Sequence, residues 1–356
     1  MVPARRRVWS CAVRPVTGVS YTTRRCSALA GVFLAFTAWG RCHAQTVPPS
    51  AHWVSLRHLA GVVDLGSPRR DGWLTASAGG LLYLFRPSGA IRDIARGPGG
   101  YGTNPGTEAY LVVVRRGHRS GARCRFRRDD VYALEVVPPG IVTIDVSGQA
   151  RPFATLPPAT FPNGITFDQV GRFGHRLLVT AAVGDATNLY AIDCGGGVRT
   201  LAENAPRLEG GIAVAPRSFG NFGGQLIAPD EYSGRLVAID AQGTARTVTE
   251  SGLATGADIG VESLGFVPFH FDRRGAAFLA DRGTPDNPHP GTDSILMLPG
   301  KALVSGGVRG GDLLVATEGG ADTTRIRCRR ACTARRVADG PPTAHAEGHI
   351  VFVRRP

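Results

Sequence analysis

Three stretches of the chain superimpose on one another. They are PNGITFDQVGRFGHRLLVTAAVGDATNLYAIDCGG from Pro162, EGGIAVAPRSFGNFGGQLIAPDEYSGRLVAIDAQG from Glu209, and ESLGFVPFHFDRRGAAFLADRGTPDNPHPGTDSILMLPG from Glu262. Each opens on a polar residue and a short apolar run, passes a Gly-rich turn, and ends a second apolar run in a polar loop. A third run closes near Asp-x-x-Gly or Pro-Gly. A period of roughly 40 to 50 residues built only of short strands is the signature of a β-propeller blade. The repeat therefore predicts an all-β chain, a six-bladed β-propeller with a central channel.

Third and fourth strands support the count of six. The pairs are LLYLF with IRDIA, IVTID with RPFAT, LYAID with VRTLA, RLVAID with ARTVT, and TRIRC with ARRVA, while SILML has no clear partner. Gly with Ser, Gln or Pro between the members is two-strand hairpin chemistry. A blade cannot bury both faces alone, so the ring has to close, and the terminal run HAEGHIVFV (345–353) reads as the closing strand. From Glu262 to Glu347 the chain is too long for one blade, which predicts an irregular inner strand near Lys301 to Val308.

The first 44 residues carry seven Arg and no acid, then the apolar run SALAGVFLAFTAWG and small residues ahead of Gln45. This predicts a secretory signal over residues 1–44, removed to leave a propeller over 45–356, because the run is shorter than the ~20 residues a spanning helix needs. Arg24-Arg25 also permits a twin-arginine leader. The expected location is outside the cytoplasm, with no membrane span after removal. Without the leader, 34 basic residues face 28 acids, so the high isoelectric point does not by itself argue for nucleic acid. No stripe of interleaved aromatic and basic residues supports one either. The local basic cluster RRGHRSGARCRFRR (115–128) reads first as a solvated loop and second as a patch for an anionic partner. Four cysteines remain after the leader, an even number that argues for disulfides in an exported chain. Cys328 and Cys332 flank a short turn, and Cys124 with Cys194 follows by elimination.

Aligning the blades on their first strands puts His58, Glu108, Asn163, Glu209, Glu262 and Glu347 at one level. First strands line the channel, so these residues are expected to converge. Ionised glutamates held together in a partly desolvated site repel by several kcal/mol. A hard divalent cation resolves that conflict, and oxygen ligands suit Ca²⁺. The competing reading is that each Glu bonds backbone N–H groups or pairs with Arg. His345, Glu347 and His349 alternate on one strand, facing either the channel or solvent. No phosphate-cradling Gly loop and no Gly-x-Ser-x-Gly elbow is present.

With these residues the chain resembles the six-bladed, calcium-dependent lactonase superfamily of gluconolactonase and regucalcin-like proteins, with strictosidine-synthase-like and paraoxonase relatives. The resemblance implies metal binding by an Asn in an Asn-Gly strand and a Glu in an opening strand. PNGITFD places Asn163 in the first role; VESLGF (Glu262) or LEGGIAV (Glu209) resembles the second. The family's Asp-Gly strand has no match, and Asp281 in FLADRG reads as a strand-end turn residue. Two functions follow. One is a Ca²⁺-dependent hydrolase of lactones or related esters, with Glu108, Asn163, Glu209, Glu262 and Glu347 as ligands and His345 or His349 as base. The other is a non-enzymatic binding or structural propeller, with a structural metal or none. Either way a monomer with a small-molecule ligand is expected.

Overall fold

The computed structural model describes residues 51–95, 108–120 and 124–354. The chain divides into Met1–Thr46 and Val47–Pro356; the expected leader lies outside the described residues. Two short strands, β1 (Ala51–His52) and β2 (Val54–His58), precede four consecutive antiparallel sheets of four strands. The first sheet is β3 (Val62–Gly66), β4 (Leu74–Ala78), β5 (Leu81–Phe85) and β6 (Ile91–Ala95). The second is β7 (Leu111–Val113), β8 (Val131–Glu135), β9 (Gly140–Ile144) and β10 (Ala150–Thr155). The third is β11 (Phe161–Phe167), β12 (Leu177–Val183), β13 (Ala186–Ile192) and β14 (Val198–Ala205). The fourth is β15 (Ala213–Val214), β16 (Leu226–Asp230), β17 (Arg235–Ile239) and β18 (Ala245–Glu250).

The remaining strands interleave. They are β19 (Val261–Phe266), β20 (Ala276–Asp281), β21 (Ser294–Pro299), β22 (Leu313–Thr317), β23 (Thr323–Cys328), β24 (Cys332–Asp339) and β25 (Ala346–Val353). All join one nine-stranded sheet of order β1-β24-β23-β22-β19-β25-β20-β21-β2. Its centre is a single parallel register pair, Leu264 with His349. From β19 the ladder runs outward through β22, β23 and β24; from β25 it runs through β20, β21 and the N-terminal β2. The strand pairs expected from sequence are therefore present, and the partner SILML lacked is β2, brought from the other end of the chain.

Innermost strands touch in succession, β3 on β7, then β11, β15, β19, β25 and back to β3. That closed ring is the propeller's channel wall. Two expectations are corrected here. His58 lies on β2, at the outer edge of its sheet, where the side chain is exposed and Nδ1 sits 3.3 Å from the Thr292 carbonyl oxygen, so it does not belong to the ring. No inner strand occupies 301–308 either. Gly300–Ser305 is a helix, α1, in which Lys301, Ala302 and Leu303 are strong helix formers and Leu303 is fully buried. The long interval exists because it contains strands of both ladders, not one enlarged blade.

The core lies between sheets. Leu178 and Leu189 of the third sheet pack on Leu226 and Ile239 of the fourth, all fully buried, and Leu82 of the first packs on Val131 and Ile144 of the second. Each such side chain contributes about 1.5–3 kcal/mol of burial that neither sheet could obtain alone. The Asp-x-x-Gly closings of the repeat have a matching purpose. In the β9–β10 turn Asp145 Oδ1 accepts the N–H groups of Ser147 and Gln149, and Gly148 adopts φ +89° against the Ile94 carbonyl of the preceding sheet. A Cβ there would lie 1.7 Å from that oxygen. Gly196 and Gly243 meet Phe153 and Leu201 in the same way, so the motif docks each sheet on the one before it. Both disulfides form as expected, Cys124 with Cys194 and Cys328 with Cys332.

Candidate functional site

The innermost strands run in one direction, so their first residues gather at one end of the channel. Glu262 and Glu347 are the second residues of β19 and β25, and Asn163 is the third of β11. Register shifts fall at Asn163, between Pro162 and Gly164, and at Glu262, between Val261 and Ser263. A bulge of this kind leaves one residue unpaired and re-aims its side chain. The second strand of each ladder returns antiparallel, which brings the residues just after it to the same end. These are Glu231 after β16, Arg282 after β20 and Glu318 after β22.

One carboxylate of each of Glu108, Glu262 and Glu347 offers an oxygen to a group whose members all lie within 4.8 Å of one another. Tyr110 stands among them. Its hydroxyl is 2.5 Å from Oε1 of Glu262, 2.9 Å from Oε2 of Glu347 and 3.5 Å from Oε2 of Glu108. Arg282 Nη1 donates to Oε1 of Glu108 at 2.7 Å and to Oε1 of Glu347 at 3.0 Å. A second group shares Glu347: Nε2 of His345 is 2.7 Å from Glu318 and 3.4 Å from Glu347. Glu209 lies at the rim, 4.0 Å from Arg207. Asn163 donates through Nδ2 to the Leu208 carbonyl, and its buried Oδ1 has no partner among the described residues. Gly210 links the two, its N–H on the Asn163 carbonyl and its Cα against the Glu262 side chain at φ +79°.

Crowding of acids separates their protonation. Burial, reinforced by the charge of Glu347, raises Glu262 well above the usual carboxylate range. Burial would raise Glu347 too, but hydrogen bonds from His345 and the charge of Arg282 outweigh it and hold Glu347 down to about 2. Glu108 is pushed up to about 7 by burial and by Glu347, against the opposing pull of Arg282. Glu231 is pushed up to about 9 by burial and by its hydrogen-bonded neighbour Glu318. Glu209 is raised by burial, with Arg207 opposing. Burial lowers His345, but its bonds to Glu318 and Glu347 prevail and carry it up to about 10. One carboxylate is thus fixed as an anion, one as an acid, and Glu108 titrates near neutrality.

Of the residues expected at the site, Glu108, Glu262 and Glu347 meet directly, with Asn163 and Glu209 adjoining. His345 joins through Glu318, but as an imidazolium it has no vacant lone pair with which to accept a proton at neutral pH. His349 does not join. Its Nδ1 lies 2.9 Å from Oδ2 of Asp64 and its Nε2 3.1 Å from the Ile212 carbonyl oxygen, so both nitrogens donate and the ring is held protonated. Asp64 also accepts the N–H groups of Leu65, Leu111 and His349, tying β3, β7 and β25 together. Asp281 receives the His345 N–H at 2.8 Å and the Thr292 hydroxyl at 2.5 Å, as a strand-end residue does. Tyr110, Arg282, Glu231 and Glu318 were not singled out from sequence. Their signal was a polar residue directly after a second strand, or directly before an inner one.

The donor set fits a hard cation. It is rich in carboxylate oxygen, and Asn163, at the start of another inner strand, has a buried Oδ1 that is an unused acceptor among the described residues. Tyr110 and Arg282 already engage some of the same oxygens.

No family model matches the sequence, and no curated protein matches it. Among solved structures, a regucalcin described as calcium-binding, from Agrobacterium tumefaciens, is 11% identical, with 85% of this chain and 82% of that chain covered and a TM-score of 0.49. A chain of a nidogen/laminin complex is 12% identical over 83% and 86%, with a TM-score of 0.48. A virginiamycin B lyase from Staphylococcus aureus is 13% identical over 83% and 76%, with a TM-score of 0.45. At these identities and TM-scores the likeness carries no inference about this chain.

Proposed function

We propose that this chain is an exported, monomeric six-bladed propeller, the nine-stranded sheet counting as two blades, that hydrolyses lactones or related esters with a divalent cation, Ca²⁺ by preference, at the channel mouth. The observation that carries the reading is the convergence of Glu108, Glu262 and Glu347 to within 4.8 Å, and the buried, unused Asn163 Oδ1 supports it. These four would hold the ion, with Glu209 at the rim. When bound, it would supply Lewis-acid polarisation of a carbonyl oxygen. In the ion-free site Glu108 titrates at about 7, so holding the ion would displace its proton, and both histidines, held protonated by their partners, are unsuited to accept one from water. Arg282 and His345 keep Glu347 ionised, and Tyr110 orients Glu262 and Glu347.

A second reading rests on Arg282 and His345. They already compensate Glu108, Glu318 and Glu347, as a binding propeller without metal would require. One experiment separates the two. Metal content and hydrolysis of a lactone and aryl-ester panel are measured on protein from residue 45 onward, with calcium and with chelator, for wild type and Asn163→Ala. Bound calcium with chelator-sensitive, Asn163-dependent hydrolysis supports the first reading; metal-free protein inert on the whole panel supports the second.

A further inference from the structure

Because the inner strands share one direction, their last residues meet at the end of the channel opposite the carboxylates. There the segments that follow β3, β7, β11, β19 and β25 enclose a cavity of about 740 Å³. Six arginines line it: Arg69, Arg70, Arg115, Arg116, Arg128 and Arg354. Among the described residues no carboxylate lines it. The acids within reach lie outside its wall. Asp71 is 3.7 Å from Arg69 Nη2, and Asp129 accepts the Arg70 backbone N–H and lies 4.0 Å from Arg128. Arg115, Arg116 and Arg354 have no ion-pair partner among the described residues.

Arg69 makes this more than a charged surface. It is 8% exposed, and its Nε and Nη1 are buried with no hydrogen-bond partner, while Nη2 meets the Val146 carbonyl at 3.5 Å and the half-exposed Asp71 carboxylate at 3.7 Å. A buried guanidinium that leaves donors unused is costly unless something else engages them. Arg115 is exposed at its surface end, and its head stands among like charges. Burial first, and then the charges of Arg354, Arg116 and Arg128, pull its guanidinium below the ordinary value. An anion entering the cavity would relieve both. The planar fork of Arg matches phosphate and sulfate oxygens in pairs. The volume lies in the range of small-ligand pockets, which disfavours a polymer. Phe269, 61% exposed on the same wall, offers an apolar flank to the non-ionic part of an ester.

We propose that this cavity binds a small, multiply charged oxyanion of phosphate or sulfate type, free or carried as an ester, held by Arg69, Arg115 and Arg354. The inference is independent of the activity proposed for the opposite end. It is tested by isothermal titration of inorganic phosphate, sulfate, pyrophosphate and glucose 6-phosphate into the protein at constant ionic strength, with chloride as reference. Saturable binding of at least one of these oxyanions is expected, with apparent affinity weakened at least tenfold in Arg115→Gln/Arg354→Gln. Both positions are exposed, and far-ultraviolet circular dichroism verifies that the variant folds. Tighter binding of glucose 6-phosphate than of phosphate would assign the ester; the reverse would assign the free ion. Binding no stronger than that of chloride for every probe, or unchanged affinity in the folded double variant, would overturn the proposal.

Discussion

The Tyr110 hydroxyl lies 2.5 Å from Oε1 of Glu262, a residue 152 positions further along the chain and on the far side of the ring. A phenol reaching across a channel to a glutamate held as an acid joins the second sheet to the ladder of β19. Tyr110→Phe should cost about 1.5–3 kcal/mol, the range for a hydrogen bond to a charged partner, since Glu347 also loses a donor. Urea unfolding would read this directly. A variant as stable as wild type would mean that the hydroxyl is not a structural contact.

Arg282→Met should be more severe. It strands Glu108 and Glu347 without their shared cation, and removing one partner of a buried pair costs about 3–5 kcal/mol. Protonation of Glu108 would soften the loss. The deficit relative to wild type is therefore expected to be smaller at pH 5 than at pH 8, and equal deficits at the two values would contradict the assigned charge.

Stability without metal should fall as the solution becomes alkaline. Glu108 and Glu231, ordinarily at 4.5, titrate in the fold at about 7 and about 9. Their contribution is complete below pH 4.5 and is lost as pH rises through those two values. His345, raised from 6.5 to about 10, contributes fully below pH 6.5 and loses its share as pH rises through 10. Glu347, lowered from 4.5 to about 2, contributes above 4.5 and is lost as pH falls through 2. The melting temperature in chelator should therefore be highest near pH 4.5 and fall from there towards pH 9. Added calcium competes with protons for the same oxygens, so its stabilisation should grow with pH. A melting temperature that rises from pH 6 to 9 in chelator would contradict the protonation states.

The disulfides should differ in worth. Cys124–Cys194 spans 70 residues and ties the second sheet's long loop to the third sheet, whereas Cys328–Cys332 spans four. Loop-closure entropy assigns them about 4 and about 2 kcal/mol. Paired Cys→Ala variants compared by guanidinium unfolding would show whether that order holds.

How much of this could be read beforehand depends on sequence distance. Strands closed by local turns, such as those around Asp145, Asp193 and Asp240, carry their own hairpin chemistry and were placed correctly. Glu108, Glu262 and Glu347 come together as the repeat suggests, because inner-strand starts recur in it. The interleaving of β20 and β21 between β19 and β22 was not legible. No local turn marks a strand whose neighbour arrives 47 positions later, from Phe266 to Leu313. Arg282, Glu231 and Glu318 escaped for a related reason: their position follows from antiparallel return, which the repeat does not display. The protonation of His345 and His349 depends on Glu318 and Asp64, contacts that spacing alone does not reveal.

The seam at β25 bears on how the molecule is born. A chain emerging from its amino end can build the first four sheets as it appears, and β2, β21 and β20 can pair with one another, but β20 must wait for residues 346–353 to gain its inner neighbour. Until then β20 has an open edge where its inner partner belongs, and neither Glu347 nor the Asp64–His349 tie is in place. The carboxylate cluster is thus the last thing to exist. A nascent or clipped product lacking residues 346–356 would have most of its strands but not Glu347, the carboxylate that both acidic groups share.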